Sequence, residues 1–221
     1  MNTKKQPSME VKFSDIYRNK GWYKGSGSGS LPENTAVYRD LLREIITQED
    51  IRTVVDLGCG DWQFSTLLDW DTVSYTGIDV VPSIIKKDEE LYGQTKNVEF
   101  KLVDIFDYEI PATDLIVIKD VLQHWTNEQV QNFLGTTKNW RYMLVTNTIE
   151  SYDITDPSNP ILIREEVNHD IDLGDVRPID LSLPPFNVKT REILRYASIK
   201  RHRPVKDIKS VVLLTAPGIE Q

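Results

Sequence analysis

Cysteine is almost absent from this chain: Cys59 is the only one in 221 residues. An internal disulfide is therefore excluded, and a lone thiol suits a reducing compartment, so a cytoplasmic location is expected. Long apolar runs are missing as well. No stretch approaches the roughly 18 residues that would cross a bilayer, and no signal-type segment opens the sequence, so no membrane partner is expected. Positive charge is in deficit, with 26 Lys and Arg against 34 Asp and Glu, a formal net charge of −8. Because nucleic-acid binding rests mainly on neutralising phosphates, that balance argues against a nucleic-acid partner. Histidine is scarce too, with three in all, and no compact His/Asp/Glu ligand motif occurs, so no metal ligands are assigned.

What remains is the composition of a folded domain. Hydrophobic residues at 39% beside charged residues at 27% allow an ample core, and 221 residues suit one domain. Residues 1–10 are expected to be a disordered tail. The single domain then spans 11–221, opening with a helical cap and a Gly/Ser loop over 11–50. The run Gly25-Ser26-Gly27-Ser28-Gly29-Ser30 reads equally as a flexible linker or as a loop closing over a ligand. Residues 31–47 follow helical spacing, with Val37, Leu41, Leu42, Ile45 and Ile46 on one face. From residue 52 strands and helices alternate: strands at 53–57, 74–78, 98–103, 115–119 and 142–146, helices at 63–70, 82–92 and 127–136. Thr126 followed by Gln129 is a capping box for the last helix. Residues 148–190 break the rhythm with prolines and acids and are expected to cover a substrate site. Two late strands, 191–199 and 210–216, complete the pattern.

The most informative stretch is Val54-Val55-Asp56-Leu57-Gly58-Cys59-Gly60-Asp61-Trp62, where a buried strand should turn into a helix. Glycines there allow close backbone approach to a ligand, and a following helix would aim its amides at the same spot. Further acids recur at strand ends: Asp79, Asp104 and Asp120. A dinucleotide fingerprint would use Asp79 on a ribose, but its third glycine is replaced by Gln63 and Asp104 has no role in it.

With all these positions filled, the stretch over about residues 51–147 resembles the class I methyltransferases that use S-adenosyl-L-methionine. The resemblance implies an α/β, Rossmann-like fold: a mostly parallel seven-stranded sheet with a terminal antiparallel strand and helices on both faces. It implies S-adenosyl-L-methionine as cofactor, with S-adenosyl-L-homocysteine as product. Asp56, Gly58, Cys59 and Gly60 would shape the methionine pocket, Asp79 and Val80 the ribose site, and Asp104 and Ile105 the adenine site. Lys119 and Asp120, ending strand four, would lie beside the methionine part, while Trp22, Ser28 and Trp62 would close around the cofactor.

In the same family the position after strand four lies near the sulfonium, which puts Lys119-Asp120-Val121-Leu122-Gln123-His124-Trp125 next to the chemistry. A hydroxyl acceptor benefits from a base, and imidazole suits that task. His124 stands four residues after Asp120, so a helical turn would let the carboxylate orient the ring. His124 as a group that merely packs on the cofactor stays open. Trp125, Arg177 and His169 are the candidate substrate contacts, with Arg177 equally readable as a structural ion pair. Eight Lys and Arg over residues 189–209 mark either a solvated face or a site for an anionic substrate such as a nucleotide-linked sugar. The strings GSGSGS, LGCGDW and KDVLQHW resemble methyltransferases of glycan assembly, including those attached to glycosyltransferases in large algal viruses. A sugar hydroxyl is therefore the expected acceptor, small molecule or glycan, with a glycosyltransferase as associated partner. The rivals are N- or O-methylation of another small molecule or a protein side chain, and a catalytically silent cofactor-binding module.

Overall fold

The computed structural model describes residues 8–200 and 202–218. Helix α1 (Met9–Arg18) and α2 (Ala36–Gln48) precede the sheet. Then follow β1 (Thr53–Leu57), β2 (Ser74–Asp79), α3 (Pro82–Tyr92), β3 (Val98–Leu102), β4 (Thr113–Lys119), α4 (Asn127–Thr136) and β5 (Trp140–Asp153). The chain ends through β6 (Ile161–Ile163), β7 (Arg191–Lys200) and β8 (Val205–Thr215). The sheet runs β3-β2-β1-β4-β5-β8-β7, with the short β6 added along β5. Strands β1 to β5 are mutually parallel, while β8 runs antiparallel to both β5 and β7. The expected α/β fold is therefore present, with eight strands instead of seven. The strand order reverses between β1 and β4, and ligands of such sheets bind outside the carboxyl ends at that crevice.

The apolar strands have no polar face because both faces are covered. On one side Val54, Leu115, Val117 and Leu144 pack against Tyr38, Leu42 and Ile45 of α2. On the other, Val55, Ile116, Ile118 and Val145 pack against Val130 and Phe133 of α4, with Phe13 of α1. The capping box at Thr126 and Gln129 forms as expected, each side chain meeting the other's backbone amide. No helix among the described residues is long and apolar enough to cross a membrane.

Several local expectations are corrected. No α-helix covers 63–70; a 3₁₀ turn at Ser65–Leu67 stands there instead. Trp62, Phe64, Leu68 and Trp70 all enter the core, and these positions do not share one helical stripe. Phe, Ser, Thr, Asp and Trp also favour helix weakly, so extended and turn backbone wins. Helix α2 starts at Ala36 and not at residue 31, and Val37 is half exposed instead of facing the core. Strand β5 runs on to Asp153, past a register shift between Thr148 and Glu150, because β8 pairs with it from Tyr142 to Asp153. Residues 1–7 of the expected tail lie outside the described residues, while Met9 and Glu10 already belong to α1.

Candidate active site

A cavity of about 700 Å³ opens at the carboxyl ends of β1, β2 and β4. Its walls hold Asp56, Gly58, Cys59, Gly60, Asp79, Val80, Asp104, Ile105, Lys119, Asp120 and His124, together with Trp22, Ser28, Trp125 and His169. Two expected residues are not on those walls. Trp62 lies in the core, its ring 4.9 Å from that of Tyr92 and 5.3 Å from that of Phe100. Arg177 is 1% exposed and turned inward, donating to the Leu122 carbonyl (3.1 Å) and to Asn127 Oδ1 (2.9 Å). Its role is therefore to brace the 170s segment against the turn that carries His124, not to meet substrate. Burial pulls its guanidinium down to about 10. Arg177→Ala should strip Asn127 Oδ1 of its guanidinium donor, leave the Leu122 carbonyl with only the Trp125 amide and open a cavity, costing about 2–4 kcal/mol in denaturant unfolding. A loss below roughly 0.5 kcal/mol, the range of a neutral surface change, would contradict the brace.

The glycine turn works differently from the expectation of free amides. Gly58 and Cys59 donate to the Ile78 carbonyl (2.8 and 3.0 Å), and Gly60 donates to Asp79 Oδ2 (3.1 Å). Asp61 N–H is taken by Ser26 Oγ at 2.9 Å. Gly58 and Gly60 have φ of 72° and 57°, and a Cβ on them would meet Val121 and Ser26. The glycines thus serve positive φ and close chain packing. Ser26 also pairs with the Tyr17 hydroxyl at 2.8 Å, and Gln63 Nε2 donates to the Lys24 carbonyl at 2.6 Å. The Gly/Ser run is therefore a docked wall of the cavity and not a linker.

Acids dominate the half of the cavity nearest β2 and β3. Asp79 Oδ1 accepts from Val81 N–H at 2.9 Å, leaving each of its oxygens one further lone pair. Burial raises its carboxyl to about 6, although the Val81 and Gly60 amides pull the other way. Asp56 is likewise raised to about 6 by burial, against the Tyr75 hydroxyl at 2.7 Å and the Lys119 ammonium. Asp104 caps a 3₁₀ turn, accepting from Phe106 N–H through Oδ1 at 3.0 Å. Among side chains on this cavity's walls, Ser28 Oγ and Trp125 Nε1 are buried without a partner.

Asp120 and His124 do not form the expected pair. Asp120, at φ 61°, sits between two ammonium groups: Lys119 Nζ and Lys209 Nζ each donate to it at 2.6 Å. Burial alone would raise its carboxyl, but these neighbours hold it well below the usual carboxylate range. His124 Nδ1 instead donates to the Asp175 carbonyl at 2.8 Å, which leaves a lone pair on Nε2. Gln123 Nε2 stands 3.5 Å from that atom, its Oε1 accepting from Thr148 N–H at 3.1 Å. The imidazole lies under Trp22, ring centroids 5.0 Å apart, with Phe13 edge-on. Burial lowers it to about 4, partly countered by the Asp175 carbonyl, so it is unprotonated at neutral pH. Sequence reasoning missed Phe13, Tyr17, Ser26, Asp175 and Lys209. Lys209 stands 89 residues from Asp120, and no local pattern could link them. Among the described residues no group of three or more His, Cys, Asp or Glu stands ready to hold a metal ion.

Residues 49–144 match a family model described as a methyltransferase domain. The chain is 28% identical over 94 residues to phosphoethanolamine N-methyltransferase 1 of Triticum aestivum, covering 40% of this chain and 19% of that one. The chain thus aligns with under a fifth of that relative's length. Among solved structures, it resembles N-methyltransferase NodS from Bradyrhizobium japonicum WM9 in complex with S-adenosyl-L-homocysteine. That likeness has TM-score 0.52 and 15% identity, over 83% of this chain and 88% of that one. It also resembles magnesium protoporphyrin IX methyltransferase (ChlM) from Synechocystis PCC 6803 with bound S-adenosyl-L-homocysteine, at TM-score 0.56 and 10% identity, covering 92% and 99%. At such identities these structures speak for the fold alone. The strands and turns that build the acidic half of the cavity therefore match a methyltransferase domain, and the chain has the Rossmann-like methyltransferase fold.

Proposed function

We propose that this protein is an S-adenosyl-L-methionine-dependent methyltransferase acting on a hydroxyl of a small polar acceptor, with His124 receiving the proton. The observation that carries this reading is one cavity holding both the acid set of Asp56, Asp79 and Asp104 and an imidazole whose Nε2 lone pair meets only the long, 3.5 Å contact of the Gln123 amide. A sugar hydroxyl, in a small molecule or glycan, is the acceptor we favour, with a glycosyltransferase as working partner.

The residues fit the cofactor chemically. Asp79 has a lone pair on each oxygen for the two ribose hydroxyls, and Asp104 Oδ2 suits the adenine amino group. The buried Ser28 Oγ and Trp125 Nε1 lack partners and offer further polar contacts at the cavity wall. Asp56 and the turn at Gly58–Gly60 suit the methionine end. When bound, the cofactor supplies an electrophilic methyl group on a sulfonium. The protein's own work is positioning, exclusion of water and proton removal. Trp22 and Phe13 pack on His124, and Tyr17 packs on Trp22, an aromatic roof suited to limiting the access of water. The Asp175 carbonyl fixes the tautomer, so Nε2 is the ring's acceptor, and an approaching acceptor hydroxyl would displace the long contact with the Gln123 amide.

An amine acceptor is the second reading, favoured by one feature of the site. An imidazole held near 4 is a weak base, and a neutral amine needs little help to attack. Release of S-adenosyl-L-homocysteine over a panel of sugars, phenols and primary amines distinguishes these possibilities. Release with a hydroxyl acceptor is expected. Release with amines alone would transfer the proposal to nitrogen, and tight cofactor binding without release over the whole panel would leave a silent binding module.

A further inference from the structure

The acceptor half of the cavity has a charge pattern unlike the rest of this acidic chain. Its floor holds Lys119 and Lys209, each side chain 3% exposed, around the single carboxylate of Asp120. Lys119 also faces Asp56 on the cofactor side, which partly balances it. Among the described residues Lys209 has no second carboxylate: its other donor goes to Thr148 Oγ1 at 2.7 Å, and an ammonium has three donors. Above it the β7–β8 hairpin carries Lys200, His202 and Arg203 along the cavity wall. Lys200 is paired with Asp207 at 3.1 Å, whereas Arg203 is exposed and has no ion pair among the described residues. His202 stacks on Tyr23 of the Gly/Ser loop, centroids 5.1 Å apart, so these basic groups stand at the mouth between hairpin and roof. Besides Asp120, Asp207 and the acids of the cofactor half, the cavity wall carries the exposed Asp175.

We infer that the acceptor carries an anionic group, phosphoryl or carboxylate, held by Arg203 and the hairpin wall above Lys209. The inference rests on the methyltransferase reading, because a bound sulfonium adds one more positive charge to this space. An anion there gains charge-assisted hydrogen bonds from a planar guanidinium and an ammonium. It would orient the acceptor with its anionic end at the mouth and its reacting group at His124. A neutral acceptor leaves the Arg203 guanidinium and the third donor of Lys209 without an anionic partner.

Isothermal titration of the protein saturated with S-adenosyl-L-homocysteine tests this without turnover. Glucose 6-phosphate and glucuronate, set against glucose, separate the phosphoryl and carboxylate sources. At low ionic strength at least one anionic probe should bind about tenfold or more tightly than glucose, and added salt should erode the difference. Arg203→Ala, an exposed position, should remove about tenfold of that preference while leaving homocysteine-product binding intact. Lys209→Met provides a second variant at the floor. Equal binding of all three probes overturns the inference, as does a preference that survives both substitutions. Displacement of the bound product by glucose 6-phosphate also overturns it, since the positive charge would then belong to the methionyl carboxylate. Failure of the parent protein to bind S-adenosyl-L-homocysteine would instead remove the cofactor reading on which the inference stands.

Discussion

His124→Ala is expected to lower methyl-transfer turnover to a hydroxyl acceptor by about 10²-fold, the lower end of the roughly 10²–10⁴ attributed to general-base catalysis. The lower end applies because burial holds the imidazole near 4, and a weaker base removes a proton with less driving force. Cofactor affinity should change little, since Nδ1 is engaged by Asp175 and the ring faces Trp22. The pH profile adds a second readout. A base unprotonated above about pH 4 predicts turnover that is flat, as far as His124 is concerned, from pH 6 to 8. The acid limb should fall near pH 4 and vanish in the variant. A limb near the ordinary imidazole value of about 6.5 would contradict the buried, neutral ring. A large loss of cofactor affinity with little loss of turnover would make His124 a packing group. Asp120→Asn would act through Lys119 and Lys209, since the carboxylate does not orient the ring.

The second large effect is on cofactor binding. Asp79→Ala should weaken S-adenosyl-L-methionine binding by about 1.5–3 kcal/mol, because charge-assisted hydrogen bonds to the ribose are lost. The Gly60 and Val81 amides also lose their acceptor, so the turn itself loosens. The carboxyl is raised to about 6 by burial, and this sets a sign. Its stabilising contribution to the free fold is present below the unfolded carboxylate value near 3.9 and is lost as pH rises through about 6. Ribose hydroxyls donate to the ionised form, so binding should run the other way. Affinity should strengthen as pH rises through about 6, by no more than tenfold per pH unit, and this step should disappear in Asp79→Ala. Calorimetry between pH 5 and 8 measures both. Unchanged affinity in the variant, or a parent that prefers a nicotinamide dinucleotide, would sink the cofactor assignment.

Much of the frame was legible because it depends on local pattern. The β-branched runs at 53–57 and 115–119, the Pro82 start of α3 and the Thr126–Gln129 box each carry their own signal, and each stands where expected. The acids at strand ends were legible for the same reason: parallel order brings every strand's carboxyl end to one edge, so Asp56, Asp79, Asp104 and Asp120 converge once the alternation is read. The segment 63–70 failed because its aromatic residues satisfy the core without a single helical stripe.

By itself, then, the sequence determined the α/β alternation, the cavity's edge and its acidic half, since these follow from periodicity and from residues a few positions apart. Tertiary structure alone decided which partner each charged group takes. Asp120 turned to Lys209 and not to His124 because β8 returns antiparallel beside β5 and delivers an ammonium from 89 residues away. His124 took the Asp175 carbonyl, and Arg177 went inward, because the 170s segment folds back under the turn after β4. Pairing of buried charges is set by distance in space and by the cost of leaving any of them alone, and neither quantity is written in the local order of residues.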